Sequence, residues 1–274
     1  MIEKVSGNVH VETGVPGCNH SIIVTDEGVV MVDSPQFPSD AVKWRDYVRS
    51  RGLVLYIVNN EPHGDHVSGN FFFTGTVVGH AGTREAVLAT PVKQFVDMVQ
   101  QMQPASMPLV ENYNFRPPTL TFTDKMTLYL GKHTIELMHM PGHTPSETAV
   151  YVPEEKVLFP SDNVVRGTMP FFTPQALPFE WIESLKRMRG LDVKVVVPGH
   201  GSVCDASYLG EMIQEIEAWI NSVSDAMKKG ASRDDVLKTV DMTGRYPKSP
   251  MPERMAQTQR MNLGRVYDVL SKKS

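Results

Sequence analysis

NNEPHGDHVSGN, residues 59–70, sets a glutamate, an aspartate and two histidines within the six positions from Glu61 to His66. It continues LVLYIVNN (53–60), an apolar run of the kind that forms a buried strand. Side chains able to hold a metal therefore gather at the end of a strand. In an extended loop, positions two apart point the same way. Glu61, His63 and Asp65 are thus expected on one face and His66 on another, so that one short loop serves two neighbouring cations. Gly64 lets the backbone turn tightly, and Pro62 stiffens it.

Four further strand-like runs end in residues of the same chemistry. HSIIVTDEGVVMVDS reads as a hairpin ending at Asp33, with its turn at Asp26-Glu27-Gly28. LTFTDKMTLYLGKHTIELMHM leads into PGHTPSE and His143. TAVYVPEEKVLFPSD gives a second hairpin ending at Asp162, and VKVVVPGHG a buried strand ending at His200. Ends of adjacent strands lie close in space, so these residues can converge. Carboxylates with imidazoles, and no cysteine among them, suit first-row divalent metals and argue against a purely structural zinc.

Between the strands lie helical segments. SDAVKWRDYVRSRG has Ser39 as a cap candidate and stops at Gly52; EWIESLKRMRG is closed by Gly190. Residues 91–118, rich in Met, Gln and Pro, read as a helix over 92–103 followed by an irregular segment. Residues 205–274 read as helical with polar exposed faces. Strands feeding helices, with polar clusters at strand ends, indicate an α/β layered domain with its site along one sheet edge.

VDS (32–34), EPHGDH, MPGHTPSE, PSDNV and PGHG, in that order and spacing, resemble the metallo-β-lactamase superfamily over residues 1 to about 204. The resemblance implies an α/β fold, the αββα four-layer sandwich, within a single domain over 1–274: catalytic motifs in 1–204 and a C-terminal helical segment in 205–274. It also implies two divalent metal ions. One would take Glu61, His63 and His143, the other Asp65, His66 and His200. Asp162 would bridge them, and Asp33 would orient a ligand or the loop. Asp65 would also serve as a proton acceptor. Two departures stand out. The family's His-x-His-x-Asp-His begins here with Glu61. Glu147 occupies the place where the third motif often has a second His, which leaves the role of that position open.

Glu61 alters the chemistry expected of the site. An ionised carboxylate in place of an imidazole takes a site of two divalent cations, Asp65, Asp162 and hydroxide from one net positive charge to neutral. It is also a harder ligand that can bind through two oxygens. Both changes move preference from Zn toward Mn or Fe and weaken the pull on bound water. The reading that follows is a dinuclear hydrolase using a metal-bound hydroxide on an ester, lactone, amide, thioester or similar bond of a small organic substrate. The alternative is a non-haem di-iron enzyme doing redox or oxygen chemistry. The flavodiiron branch similarly carries a carboxylate in this motif, at the next ligand position. A non-catalytic metal-binding protein is disfavoured, because position 61 exchanges one ligand type for another and loses none.

Phe171, Phe172 and Arg166, in RGTMPFFTP after Asp162, are candidates for substrate contact. The aromatic pair would meet an apolar portion and Arg166 a carboxylate. Residues 91–118 lie where related folds place substrate-covering elements. In the thioesterase branch a C-terminal helical region helps bind substrate, yet the basic residues singled out in this tail are Lys228, Lys229 and the terminal lysines. His80 and His139 read as structural, His10, His20 and His133 as ordinary surface or strand residues, and Cys18 and Cys204 as buried or unreactive. The net charge of -4, without a basic run, gives no footprint for nucleic acid. No apolar run is long enough to span a membrane, and MIEKVSGNVHVETG shows no leader pattern. A cytoplasmic protein acting on a small molecule is expected, with homo-oligomerisation left open.

Overall fold

The protein is described by a computed structural model over residues 1–248 and 250–272. Its first sheet has seven strands in sequential order: β1 (Ile2–Lys4), β2 (Val9–Glu12), β3 (His20–Val24), β4 (Val29–Val32), β5 (Val54–Asn59), β6 (Thr76–His80) and β7 (Leu120–Phe122). β1 to β4 pair antiparallel and β4 to β7 parallel. The second sheet has six: β8 (Lys125–Leu130), β9 (His133–His139), β10 (Thr148–Val152), β11 (Val157–Phe159), β12 (Val195–Val196) and β13 (Cys204–Asp205).

Strand alternation explains the layers. Ile23, Val30, Val58 and Val78 face Leu137, Val150, Val152 and Phe159 between the sheets. Their neighbours Ile22, Met31, Ile57 and Val77 face outward, onto Trp44 and Val48 of α1 (Pro38–Arg49). Ala149, Tyr151 and Leu158 point out of the second sheet into a large apolar cluster. That cluster is completed by α5 (Pro178–Arg189), α6 (Tyr208–Lys228), α7 (Arg233–Thr239) and α8 (Pro252–Ser271). The layers are helix, sheet, sheet, helix, as expected, and the C-terminal helices share the core of the second sheet. Among the described residues no helix is long and apolar enough to cross a membrane.

Three local expectations are corrected. α1 begins at Pro38 with Phe37 as its cap residue, because proline fits the first helical position. Ser39 instead donates to Gln103 Oε1 at 2.9 Å. The run ending at His200 is a strand only at Val195–Val196; Pro198 has no N–H for a ladder, and His200 meets Val165 in an isolated bridge. The loop 61–66 does not stay extended. It turns at Gly64 into the one-turn helix α2 (Gly64–Val67), where the His66 N–H donates to the His63 carbonyl at 3.0 Å. α3 (Ala81–Ala89) and α4 (Val92–Met102) follow β6, and Pro104–Val110 is a 3-10 turn.

Candidate metal centre

The loop after β5 is pinned before it reaches its polar cluster. The Asn60 N–H donates to Asp33 Oδ1 at 2.8 Å, and the Asn60 carbonyl accepts from the Thr148 N–H at 2.7 Å. Glu61 emerges fully buried. Its Oε1 accepts a hydrogen bond from His63 Nδ1 at 2.9 Å and lies 3.0 Å from His66 Nε2, while its Oε2 lies 2.7 Å from the same His63 nitrogen without hydrogen-bond geometry. The turn at Gly64 overrides the alternation expected of an extended loop. Asp65 leaves the side of Glu61 and His63, and its Oδ2 sits 3.2 Å from His200 Nε2.

His143 and His200 arrive from two loops of the same form, Pro-Gly-His. Each glycine presses against the turn Asp162-Asn163. A Cβ on Gly142 would collide with the Asn163 side chain, and one on Gly199 with Asp162. The short loops can therefore close on that turn only with glycine before each histidine. His143 Nε2 then lies 3.3 Å from His63 Nδ1 and 3.7 Å from Asp162 Oδ2; His200 Nε2 lies 3.3 Å from the same oxygen. His66 Nε2 is 3.4 Å from Asp162 Oδ1.

Three groups result, each with its donor atoms within 4.8 Å of one another: Glu61 with His63 and His143; Asp65 with His66 and His200; Glu61 with His66 and Asp162. All seven residues singled out in the sequence are thus brought together. Three of their buried atoms, Glu61 Oε2, His66 Nε2 and Asp162 Oδ1, have no hydrogen-bond partner. Buried polar atoms are seldom left so, because each costs free energy. Unpartnered carboxylate and imidazole atoms converging on one space fit divalent cations, and the donor set of three carboxylates and four imidazoles is of the right chemistry.

Supporting residues set the tautomers. His66 Nδ1 donates to Asp33 Oδ2 at 2.9 Å, and His143 Nδ1 donates to the Phe171 carbonyl at 2.7 Å. Each bond leaves Nε2 with its lone pair toward the centre. Glu147, whose role was open, is fully buried. It accepts from the Asp162 N–H at 3.0 Å and from the Thr144 hydroxyl at 2.8 Å, and so ties the two motifs together. Asp33 and Ser161 hold positive φ, 58° and 53°, backbone strain concentrated beside the centre. The charges are strongly coupled. Glu61 leads the forces that hold His63 up at about 9. Burial opposes the charge on His200, but Asp162 and Asp65 outweigh it and hold it up at about 10. Metal must displace those protons, so binding is coupled to their release.

The centre forms the floor of a cavity of about 990 Å³. Arg166 and Phe171 line it, as the sequence suggested. The Arg166 Nη1 donates to the Val203 carbonyl at 2.8 Å, and its guanidinium lies 5.5 Å from the centre of the Tyr208 ring. Phe172 does not line the cavity. It is buried against Trp181 and Trp219, with ring centres 5.2 Å and 5.7 Å away. Consecutive residues of an extended segment face opposite ways, and Asn262 fixes which: its Oδ1 accepts from the Phe172 N–H at 2.8 Å, and its Nδ2 donates to the Pro170 carbonyl at 2.7 Å. Residues 91–118 do not line the cavity either. Phe95, Val99, Val110 and Tyr113 form a separate apolar cluster with Phe71.

The outer wall comes from the C-terminal segment, with Lys248, Met251, Arg254, Met255 and Met261 among its lining residues. Sequence reading passed over this wall and singled out Lys228, which pairs instead with Asp225. The available signal was the stripe Met251, Arg254, Met255, Thr258, Met261 at helical spacing. The remaining histidines and Cys204 lie outside these groups among the described residues, and Cys18 falls in a further one with Asp33 and His66. His80 caps α3 and stacks on His139 at 4.3 Å. Cys18 is buried, and its thiol is pushed up to about 12 by that burial.

A sequence profile described as "Metallo-beta-lactamase superfamily" matches residues 13–200. The chain belongs to the metallo-β-lactamase superfamily. The expectation of this family and its fold is met. Among curated relatives, a linear primary-alkylsulfatase of Pseudomonas sp. is 26% identical over 138 residues, 47% of this chain and 26% of that protein. The 2,4-dinitroanisole O-demethylase subunit alpha of Nocardioides sp. is 26% identical over 64% of this chain and 50% of that protein. The acyl-coenzyme A thioesterase MBLAC2 of Bos taurus is 26% identical over 68% and 71%. The chain thus spans about a quarter and a half of the first two relatives' lengths. Of solved structures, the sec-alkylsulfatase Pisa1 from Pseudomonas sp. aligns with TM-score 0.72 at 16% identity, over 98% of this chain and 50% of that one. A metallo-beta-lactamase from Pontibacter korlensis gives 0.62 at 20% identity, over 79% and 98%. These likenesses show the fold.

Proposed function

We propose that the chain is a metal-dependent hydrolase with two cation positions, acting on a small organic substrate. Glu61, His63 and His143 would hold one cation, Asp65, His66 and His200 the other, with Asp162 between them. The observation that carries this reading is the convergence of the unpartnered buried atoms of Glu61, His66 and Asp162 directly beneath a cavity floor lined by Asp162, His63, Asp65, His143 and His200. Bound divalent cations supply an activated water and polarise the scissile oxygen. The chain's own residues position and exclude. Asp33 and the Phe171 carbonyl hold two imidazoles in the ligating tautomer. Asp65, which lines the cavity, has one oxygen near His200, leaving the other to accept a proton from the nucleophile.

The walls support a substrate with an apolar body and a negatively charged group. Met251, Met255 and Phe171 supply apolar contact, and Arg166, Lys248 and Arg254 supply positive charge. The carboxylates lining the cavity are Asp65 and Asp162, both at the floor. Relatives named alkylsulfatase and acyl-coenzyme A thioesterase favour hydrolysis. The third carboxylate, Glu61, favours Mn or Fe over Zn and keeps a di-iron oxygen-using enzyme as the second reading. Metal-free protein reconstituted with Mn, Zn or Fe, and assayed on esters, thioesters and sulfate esters with and without oxygen, separates the two. Turnover without oxygen, supported by Mn or Zn, is expected. Turnover that requires both iron and oxygen would overturn the hydrolase reading.

A further inference from the structure

The family pattern places a histidine where this chain has Glu61, and a neutral imidazole offers one lone pair to one metal. A carboxylate offers two oxygens, and Glu61 belongs to two ligand groups at once, one with His63 and His143 and one with His66 and Asp162. Oε2 is 2.7 Å from His63 Nδ1 and 3.7 Å from His143 Nε2. Oε1 is 3.0 Å from His66 Nε2, which belongs with Asp65 and His200, and 2.9 Å from His63 Nδ1, so it lies between the two halves. We propose that Glu61 bridges the two metal positions, giving one oxygen to each cation.

The surroundings favour a bridge over chelation of one cation. The side chain is fully buried, so neither oxygen is satisfied by bulk water. Oε2 has no hydrogen-bond partner, and His66 Nε2 opposite Oε1 has none. Asp162 spans the same gap from the other side. Its Oδ1 is 3.4 Å from His66, and its Oδ2 is 3.7 Å from His143 and 3.3 Å from His200. Two carboxylates would thus lie between the cations and screen their mutual repulsion. The backbone that carries Glu61 into this position is fixed at the preceding residue, where the Asn60 N–H and carbonyl are held by Asp33 and by Thr148. It follows that position 61 contributes to the affinity of the Asp65, His66 and His200 position, which a histidine there would leave untouched.

This proposal rests on the two-metal reading above, and a crystal structure of the Mn-loaded protein with anomalous scattering tests the two separately. The expected result is two Mn ions, with one Glu61 oxygen coordinating each. Two Mn ions with both Glu61 oxygens on one, or with one oxygen free, would overturn the bridge and leave the two-metal reading standing. One Mn ion or none would overturn both. In solution, His143→Ala weakens the first position and leaves the second to be titrated with Mn alone. Adding Glu61→Gln should then weaken that remaining position about tenfold or more, with far-UV circular dichroism unchanged. An unchanged affinity would overturn the bridge.

Discussion

The floor and the outer wall of the cavity are built in opposite ways. On the floor, the imidazoles of His66 and His143 are held by second groups: the first by Asp33, the second by a main-chain carbonyl. Asp162 is held by Glu147, and both Pro-Gly-His loops are locked against its turn. On the wall, Lys248 and Arg254 are exposed and have no ion pair among the described residues. Other cations of the same helical segment are engaged, as Arg245 is with Glu215 and Arg233 with Asp268. The difference separates fixed chemistry from adaptable recognition. The floor residues are fixed by their neighbours, whereas Lys248 and Arg254 on the wall have no ion pair among the described residues to fix them.

Substitutions on the two sides should break in different ways. Asp162→Ala on the floor is expected to have the largest effect: metal is lost and turnover falls to background, by metal analysis and steady-state kinetics. Retained metal would remove Asp162 from between the cations. Next come the adjacent phenylalanines, which lie on either side of the divide. Phe172→Ala empties a packed core position and should destabilise by about 3–5 kcal/mol in denaturant unfolding. Phe171→Ala should leave stability nearly unchanged and alter KM. Equal effects on stability would contradict the opposite facing of the pair.

Glu147→Gln should keep the fold and lower metal affinity by about 10–100-fold, read by competition with a chelating dye. On the wall, Arg254→Ala should raise KM for an anionic substrate by about twofold to fivefold and leave metal content unchanged, with the difference shrinking at high salt. A fall in metal content would place Arg254 in the floor's network. A last effect, on stability and not on activity, lies far from both. Burial raises the Glu155 carboxyl, but hydrogen bonds, the first from Asn8, outweigh it and hold the group down at about 2 against 4.5 unperturbed. Its contribution to stability is complete above pH 4.5 and is lost as pH falls toward 2. Glu155→Gln should flatten the stability profile in that window alone.

The floor was legible in the sequence because it is local. Five short motifs at strand ends carry it, and alternation such as Ile22 outward and Ile23 inward fixes which faces the strands bury. What was not legible depends on turns and on neighbours far along the chain. The helical turn at Gly64 moved Asp65 from the side of Glu61 to that of His200. Phe172 was claimed for the core by Asn262, ninety positions away. The apolar stripe of residues 92–103 shows a buried face but not what it packs on, and that proved to be Tyr113 and Val110. The Met and Arg stripe of α8 has the same ambiguity, resolved only when the helix is seen beside the metal centre. Glu147 could have been read as a ligand substitute, yet both its oxygens are taken by hydrogen bonds, from the Asp162 N–H and the Thr144 hydroxyl, which makes it a support.

The central claim is that two cations occupy the floor. Native mass spectrometry of the metal-free protein titrated with Mn tests it most directly. The account predicts a species carrying two Mn per chain at saturation, restored to the metal-free mass by a chelator. Saturation at one Mn per chain, or no specific binding, would contradict it.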